Sequence, residues 1–161
     1  MLRIASLVLA ACLLATPAAS GCSDSAGRGV EWIKCNKSRL RLGGRDLREA
    51  VIENSNLSRS DLTGARLDGA SLAGSDVTRS VFRKAQMRSA DLTRTDAYRA
   101  SFAQTGADHA DLTKAILIRA DFTGASLVGA DLTKAEASRA AFGGADLRQA
   151  VLVKADLSRV D

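Results

Sequence analysis

Every fifth residue from Leu47 to Leu157 is apolar, and the series has 23 members without an exception. It opens Leu47, Ile52, Leu57, Leu62, Leu67 and closes Leu147, Leu152, Leu157. Two residues ahead of most of these stands alanine: Ala65, Ala70, Ala85, Ala90, Ala100, then every position from Ala110 to Ala155. A fixed short period constrains architecture more strongly than any local propensity, because each repeat must adopt the same conformation and bury itself on its neighbours.

Neither regular element accommodates a period of five. On an α-helix it advances the apolar position by about 140° per repeat, so no stripe forms. In a flat strand an odd period throws the large residue to alternate faces. A small residue pointing inward, the next outward, the large residue inward and two more outward meets both difficulties. Two consecutive outward residues require a bend. Each quintet is therefore an extended side followed by a corner, and the chain coils around its own interior.

A second period counts the sides. The four phenylalanines, Phe82, Phe102, Phe122 and Phe142, lie twenty residues apart, as do Arg39, Arg59, Arg79, Arg99, Arg119, Arg139 and Arg159. Asp-Leu-Thr recurs at Asp91, Asp111 and Asp131. Twenty is four quintets, so like residues stack after four sides. Residues 45–161 then make about six coils, a column on the order of 28 Å tall at the spacing of paired strands.

The quintets Ala90-Asp91-Leu92-Thr93-Arg94 and Ala120-Asp121-Phe122-Thr123-Gly124 resemble those of the pentapeptide repeat proteins. The resemblance covers about three quarters of the chain. It implies an all-β fold, a right-handed quadrilateral parallel β-helix, in which the phenylalanines form a core ladder. Ala97, Ala107 and Ala137 are small for their central positions, and the core is expected to narrow there or to hold small cavities.

The N-terminus reads as a signal peptide over residues 1–21. Arg3 supplies the positive charge, Ile4 to Ala15 the apolar run, and Thr16 to Gly21 the small-residue end. The apolar run is shorter than the ~20 residues a membrane-spanning helix needs. Ala18-Ala19-Ser20 suits ordinary cleavage, whereas Ala19-Ser20-Gly21-Cys22 resembles a loose lipobox in which Cys22 carries lipid and anchors the protein to a membrane. Leu9-Ala10-Ala11-Cys12 has better lipobox lettering behind too short an apolar run. With Cys12 removed, Cys22 and Cys35 remain, and an exported pair is expected to form a disulfide, the use of Cys22 that excludes lipidation. The expected location is periplasmic or secreted, with the lipid-anchored form as the alternative.

Residues 22–44 are read as an N-terminal cap segment and 45–161 as the solenoid. Solenoids need their ends covered, and Trp32, the only tryptophan, is assigned to the cap. Gly29-Val30-Glu31-Trp32 followed by Cys35 resembles the lead-in of secreted bacterial family members. The repeat runs to Asp161, leaving Leu152, Leu157 and Val160 at an open end, where a second copy forming a homodimer is one expected partner. Relatives that target gyrase dimerise at that end, but through a terminal helix this chain lacks.

The net charge of +5 is a basic collar rather than a basic coil. Residues 45–161 hold 17 Lys and Arg against 16 Asp and Glu, and the excess sits in Lys34, Lys37, Arg39, Arg41, Arg45 and Arg48. Within the coil, the bases concentrate in the Arg column and in Arg94, Lys114, Lys134 and Lys154. Arg79, Arg99, Arg119 and Arg139, with Lys114 and Lys134, form a candidate anion-binding face. The opposing reading is self-neutralisation. Asp76, Asp96, Glu136 and Asp156 precede their arginines by three residues, and Asp91, Asp111 and Asp131 precede the lysines.

No catalytic, metal or cofactor site is expected. His109 is the only histidine, so a nucleophile–histidine–acid triad has little to draw on. Asp108 and Asp111 beside it supply too few convergent ligands for a metal. The glycines at Gly64, Gly69, Gly74, Gly124, Gly129 and Gly144 recur at corners and open no helix, so they are not a phosphate loop. A basic stripe without aromatic platforms argues against single-stranded nucleic acid. The leading reading is a non-enzymatic structural or protein-interaction module facing a protein or cell-envelope component. The second is a binder of anionic envelope polymers or lipid headgroups. The third, by resemblance, is DNA mimicry against topoisomerase, which the near-neutral coil and the export signal both oppose.

Overall fold

The computed structural model describes residues 21–161. The expected signal segment, with Arg3, the run from Ile4 to Ala15, Cys12 and the expected cleavage site Ala18-Ala19-Ser20, lies outside the described residues. Parallel bridges join residues twenty apart: Glu31 to Val51, Asn36 to Asn56, Arg41 to Asp61 and Asp46 to Arg66, continuing in the same register to Glu136 and Asp156. Four bridges per twenty residues make four sides. Each side contributes one bridged residue rather than a full strand, because the chain turns again within the quintet.

The quintet 61–65 shows why this sequence takes this path, since all five of its N–H groups have partners. Asp61 N–H donates back to the Leu40 carbonyl at 2.9 Å, Leu62 N–H forward to Val81 at 2.7 Å, and Gly64 N–H forward to Arg83 at 2.8 Å. Ala65 N–H closes the turn on the Leu62 carbonyl at 2.9 Å. That leaves Thr63 N–H, which donates to Oδ1 of Asp61 at 2.9 Å. An Asp or Asn ahead of the central residue is thus an Asx turn that satisfies the one donor the coil geometry orphans. Asn56, Asp76, Asp91, Asp111 and Asp131 do the same for Ser58, Thr78, Thr93, Thr113 and Thr133.

The corner residue, two after the central one, has positive φ throughout, as the third position of a type II turn requires. Gly64 is at 66° and Arg59 at 59°. Glycine takes this conformation freely, whereas an L-residue there costs roughly 1–2 kcal/mol.

The interior consists of stacked columns. Phe82, Phe102, Phe122 and Phe142 lie with ring centroids 4.9, 4.8 and 5.2 Å apart and planes within 6° of parallel. That spacing matches the rise between paired chains and falls in the favourable range for aromatic pairs. Ala97 and Ala107, both buried, occupy the sides adjoining Phe102 in its own coil, and Ala137 adjoins Phe142. The undersized residues thus share layers with the largest ring, which offsets part of the missing volume.

The alanine pattern does not anticipate a set of buried hydroxyl residues in three of the columns. Ser55, Ser60, Ser75, Ser80, Thr95 and Thr105 fill small-residue positions and are buried. Ser75 Oγ donates to the Ile52 carbonyl at 2.6 Å and accepts from Ser55 N–H at 2.9 Å. The hydroxyl is thereby inserted across a turn that elsewhere closes directly, as Ser75 N–H does on Leu72 at 3.0 Å.

The solenoid begins earlier than the boundary at residue 45. Bridging starts at Glu31, and Trp32 lies in register with Ile52 and Leu72, almost fully buried. The first coil breaks the pattern because Lys37 holds a central position and Cys35, Leu40 and Arg45 hold small ones. Trp32 closes the core from inside that coil, and the preceding residues cover it in turn. Its Nε1 donates to the Asp24 carbonyl at 3.1 Å, Ala26 packs on the core, and Lys37 Nζ sits 4.1 Å from the ring centre. The Cys22–Cys35 disulfide, with Cα atoms 5.4 Å apart, ties the covering segment down. With its sulfur in that bond, Cys22 has none free for a lipid.

At the other end Phe142, Leu147 and Leu157 are covered less completely, and Val151, Leu152 and Val153 are exposed. Phe142 N–H donates to Oδ1 of Asp161 at 2.7 Å, the side chain standing where a next-coil carbonyl would be.

The two kinds of core residue respond differently to truncation. Phe102→Ala, which opens a gap in the middle of the ring stack, should cost about 3–5 kcal/mol. Ser75→Ala should cost about 1 kcal/mol, since the Ser55 N–H can fall back on the direct turn bond. Chemical unfolding of both variants checks the ordering, and equal losses would contradict the insertion of Ser75 across the turn.

Candidate functional site

The core leaves the outer faces to carry function. Among the described residues no group of three His, Cys, Asp or Glu side chains is placed to hold a metal ion, and no helix is long and apolar enough to cross a membrane. His109 sits at a corner with φ of 58°, its ring directed toward Gly129 of the next coil, where an added Cβ would lie 2.6 Å from Nδ1. Its neighbour Asp108 accepts from Ser126 Oγ and faces Arg88 at 3.7 Å, so these groups support one another.

The faces differ in how they handle charge. The side carrying Arg28, Arg48, Asp68, Arg88, Asp108 and Arg148 mixes signs down its column and forms ion pairs: Arg28–Glu49 at 2.6 Å, Arg48–Asp46 at 2.5 Å, Arg148–Asp146 at 2.8 Å. The candidate face does not. Arg79, Arg99, Arg119 and Arg139 stand at one corner column, with φ between 55° and 59°, and Lys114 and Lys134 at the neighbouring corner column, both at 60°. None of the six makes an ion pair within 4.0 Å among the described residues. The neutralising ladder foreseen between these bases and the acids three residues ahead does not form. Asp76 and Asp96 accept from the N–H groups of Thr78 and Tyr98, and Asp91, Asp111 and Asp131 from those of their threonines. The acids are committed to their own turns.

The arginine column is also the one corner that never uses glycine or asparagine. Each of the other three includes glycine at least once, as at Gly64, Gly69 and Gly74, while this one has arginine at 39, 59, 79, 99, 119, 139 and 159, all between 55° and 60° in φ. Seven like charges stacked about one strand spacing apart repel one another, though salt screens exposed groups. Both the backbone strain and the repulsion oppose stability.

Alongside the first three arginines runs a groove of about 550 Å³. Ser38, Ser58 and Thr78 form its floor, Arg39, Arg59 and Arg79 one wall, and Asn56 and Asp76 the other; Tyr98 closes one end. Arg99 lies over the Tyr98 ring, its Cζ 5.2 Å from the centre. The groove meets the sequence-derived face at Arg79 and extends two coils ahead of it, to Arg39. The groove follows the column 38, 58, 78, 98, in which three small hydroxyl residues precede a tyrosine, a step visible in the sequence only once that outward column is read by itself.

Five of the turn carboxylates titrate low. The Thr63 hydroxyl and N–H hold Asp61 below the usual carboxylate range, with Arg41 adding to the effect. For Asp121 burial pushes upward, but hydrogen bonds from Thr123 and Ser101 outweigh it and leave the carboxyl low. Asp46 and Asp146 are lowered by hydrogen bonds from Arg48 and Arg148, and Asp156 chiefly by the Ser158 N–H.

A stack of four-sided coils with a filled interior and ladders of exposed side chains defines the class of solenoid repeat proteins. The family model described as Pentapeptide repeats matches residues 46–83, 60–96, 108–140 and 132–161, in 8 copies, and the chain belongs to that family. Among solved structures it is similar to HetL of the cyanobacterium Nostoc, involved in heterocyst differentiation regulation, at 26% identity over 83% of this chain and 78% of that one, TM-score 0.47. It is similar to Rfr23 of the cyanobacterium Cyanothece at 23% identity over 81% and 87%, TM-score 0.48. It is also similar to QnrB1, a plasmid-mediated fluoroquinolone resistance protein, at 19% identity over 86% and 87%, TM-score 0.44. No curated characterised protein matches the sequence.

Because the low-titrating carboxylates accept hydrogen bonds in the folded state, their stabilisation is complete above the unfolded-state value near pH 4 and is lost as pH falls through the depressed values. The melting temperature should hold steady above about pH 5 and fall below about pH 4. Asp61→Asn with Asp121→Asn keeps the acceptor oxygen, as Asn56 does, and should shrink the fall. A decline beginning near neutral pH would contradict this origin of the acid sensitivity.

Proposed function

We propose that the chain is an exported, non-enzymatic interaction module. It is a right-handed quadrilateral solenoid of about six coils that presents its basic ladders to a component of the cell envelope. The observation that carries this reading is the arginine column, strained at every corner and without ion-pair partners, on a scaffold whose interior is filled. The signal-like N-terminus and the Cys22–Cys35 pair support a destination outside the cytoplasm, where disulfides persist. The unpaired positive ladder also disfavours DNA mimicry, which needs an acidic surface. We further infer that a second copy can seat on the last coil, where Val151 and Val153 are 41% and 56% exposed beside Leu152.

Fractionation and mass measurement test this. Expressed in its native host, the protein should appear outside the cytoplasm, begin near Gly21, and weigh two hydrogens less than after reduction, without an acyl chain. Native mass spectrometry should show a dimer that Leu152→Asp with Val153→Asp dissociates. A reduced, full-length protein in the cytoplasm would overturn the export reading, and an acylated Cys22 would replace the disulfide with a membrane anchor.

A further inference from the structure

We propose that the groove beside Arg39, Arg59 and Arg79 binds a linear polysaccharide bearing carboxylate groups, its sugars running along the solenoid axis. The proposal rests on the reading of the chain as an interaction module and names what this one face recognises.

Three features of the groove point to that chemistry. The wall of three guanidinium groups offers planar donor forks that match carboxylates two bonds at a time. None of the three is engaged by an acid of the protein within 4.0 Å, so all remain available. They repeat at the coil rise, 4.8–5.2 Å as measured by the phenylalanine rings inside, comparable with the length of one sugar unit in an extended chain. A periodic polymer can therefore meet each coil in the same way.

The floor and the opposite wall suit hydroxyl groups rather than further charge. Ser58 Oγ donates to Oδ1 of Asn56 at 2.7 Å, and the Thr78 hydroxyl donates to Oδ1 of Asp76. With their protons so directed, the hydroxyl oxygens and the second oxygen of Asp76 face outward as acceptors, which sugar hydroxyls satisfy. Asp76 also discriminates among anions. A carboxylate opposes the dense charge of a phosphate chain, whereas a sugar with one carboxylate can turn that group to the arginines and its hydroxyls to Asp76.

Tyr98, partly buried, ends the groove with Arg99 over one side of its ring, and the other side is a platform on which the apolar face of a sugar can rest. One ring in three coils gives no succession of platforms, as a single nucleic acid strand would need. Beyond Thr78 the column continues with the larger Tyr98 and Ile118 before returning to Ser138 and Ser158, and Tyr98 is the last residue of that column to line the groove.

The two ends of the same ladder provide the test. Arg39, Arg59 and Arg79 changed together to glutamine remove three charges from the groove; Arg119, Arg139 and Arg159, which do not line it, changed likewise remove three from the other half of the ladder. Glutamine already occupies corners at Gln104 and Gln149 with φ of 59° and 61°, so both triple variants should fold. Binding of the full mature protein to polygalacturonate is measured by calorimetry across a salt series, with neutral dextran and duplex DNA as comparison probes. The groove variant should lose on the order of 100-fold in affinity, the distal variant less than about threefold, and Tyr98→Ala about tenfold. Equal losses in the two triple variants would reduce the effect to diffuse charge and overturn the proposal. So would no binding by the wild-type protein, or DNA binding as tight as polygalacturonate. If the protein is found outside the cytoplasm yet ignores polygalacturonate, the glycan assignment falls while the module reading stands.

Discussion

The left-handed corner is the constraint on which the rest of this structure depends. A quintet has room for one inward small residue, one inward large residue and a turn, and the turn closes only with positive φ at its third position. Nineteen non-glycine residues accept that conformation beside eight glycines. What holds them there is the register. Each corner N–H from Gly29 to Arg139 donates to the carbonyl nineteen residues on, as Arg59 does to Thr78 at 2.9 Å and Arg79 to Tyr98 at 3.0 Å. Strain at one corner is sustained by bonds to the next coil, so stability is a property of stacked neighbours rather than of single quintets.

The same geometry separates residues that hold the fold from residues free to do something else. The inward positions fill the core. The Asp or Asn ahead of the central residue is consumed by the Asx turn. The two outward turn residues are left to vary, and charge and glycine are distributed among them unevenly. On one face, mixed signs pair off. On the arginine face, seven like charges stack without an ion pair among the described residues, although glycine at those corners would remove both the charge and the backbone strain. That cost is repeated at every coil, and it is the feature on which the proposed recognition role rests.

The chain's ends were least legible. The first coil was hidden because Lys37 sits where a leucine is expected and Cys35, Leu40 and Arg45 where an alanine is. At an end, a central residue has a partner on one side only, and Lys37 can leave the core and lie over Trp32. The buried serines were hidden for a related reason. A small-residue slot reads as alanine, yet Ser55 and Ser75 fit it because a hydroxyl can bridge the backbone groups of the coil before it. Neither substitution violates the physics of the repeat, but both violate its lettering.

The sequence by itself determined the coil. A period of five excludes helix and flat strand, a period of twenty sets four sides, and the phenylalanines could only stack, because identical positions in a repeating backbone must superpose. Tertiary structure decided the fate of each charge. Spacing put acids three residues before the basic corners and left open whether they would pair. In three dimensions their oxygens are turned inward to the adjacent N–H, a nearer and better-aligned donor than a mobile side chain. That choice depends on the direction of a bond rather than on the order of residues, and it is what leaves the arginine face open.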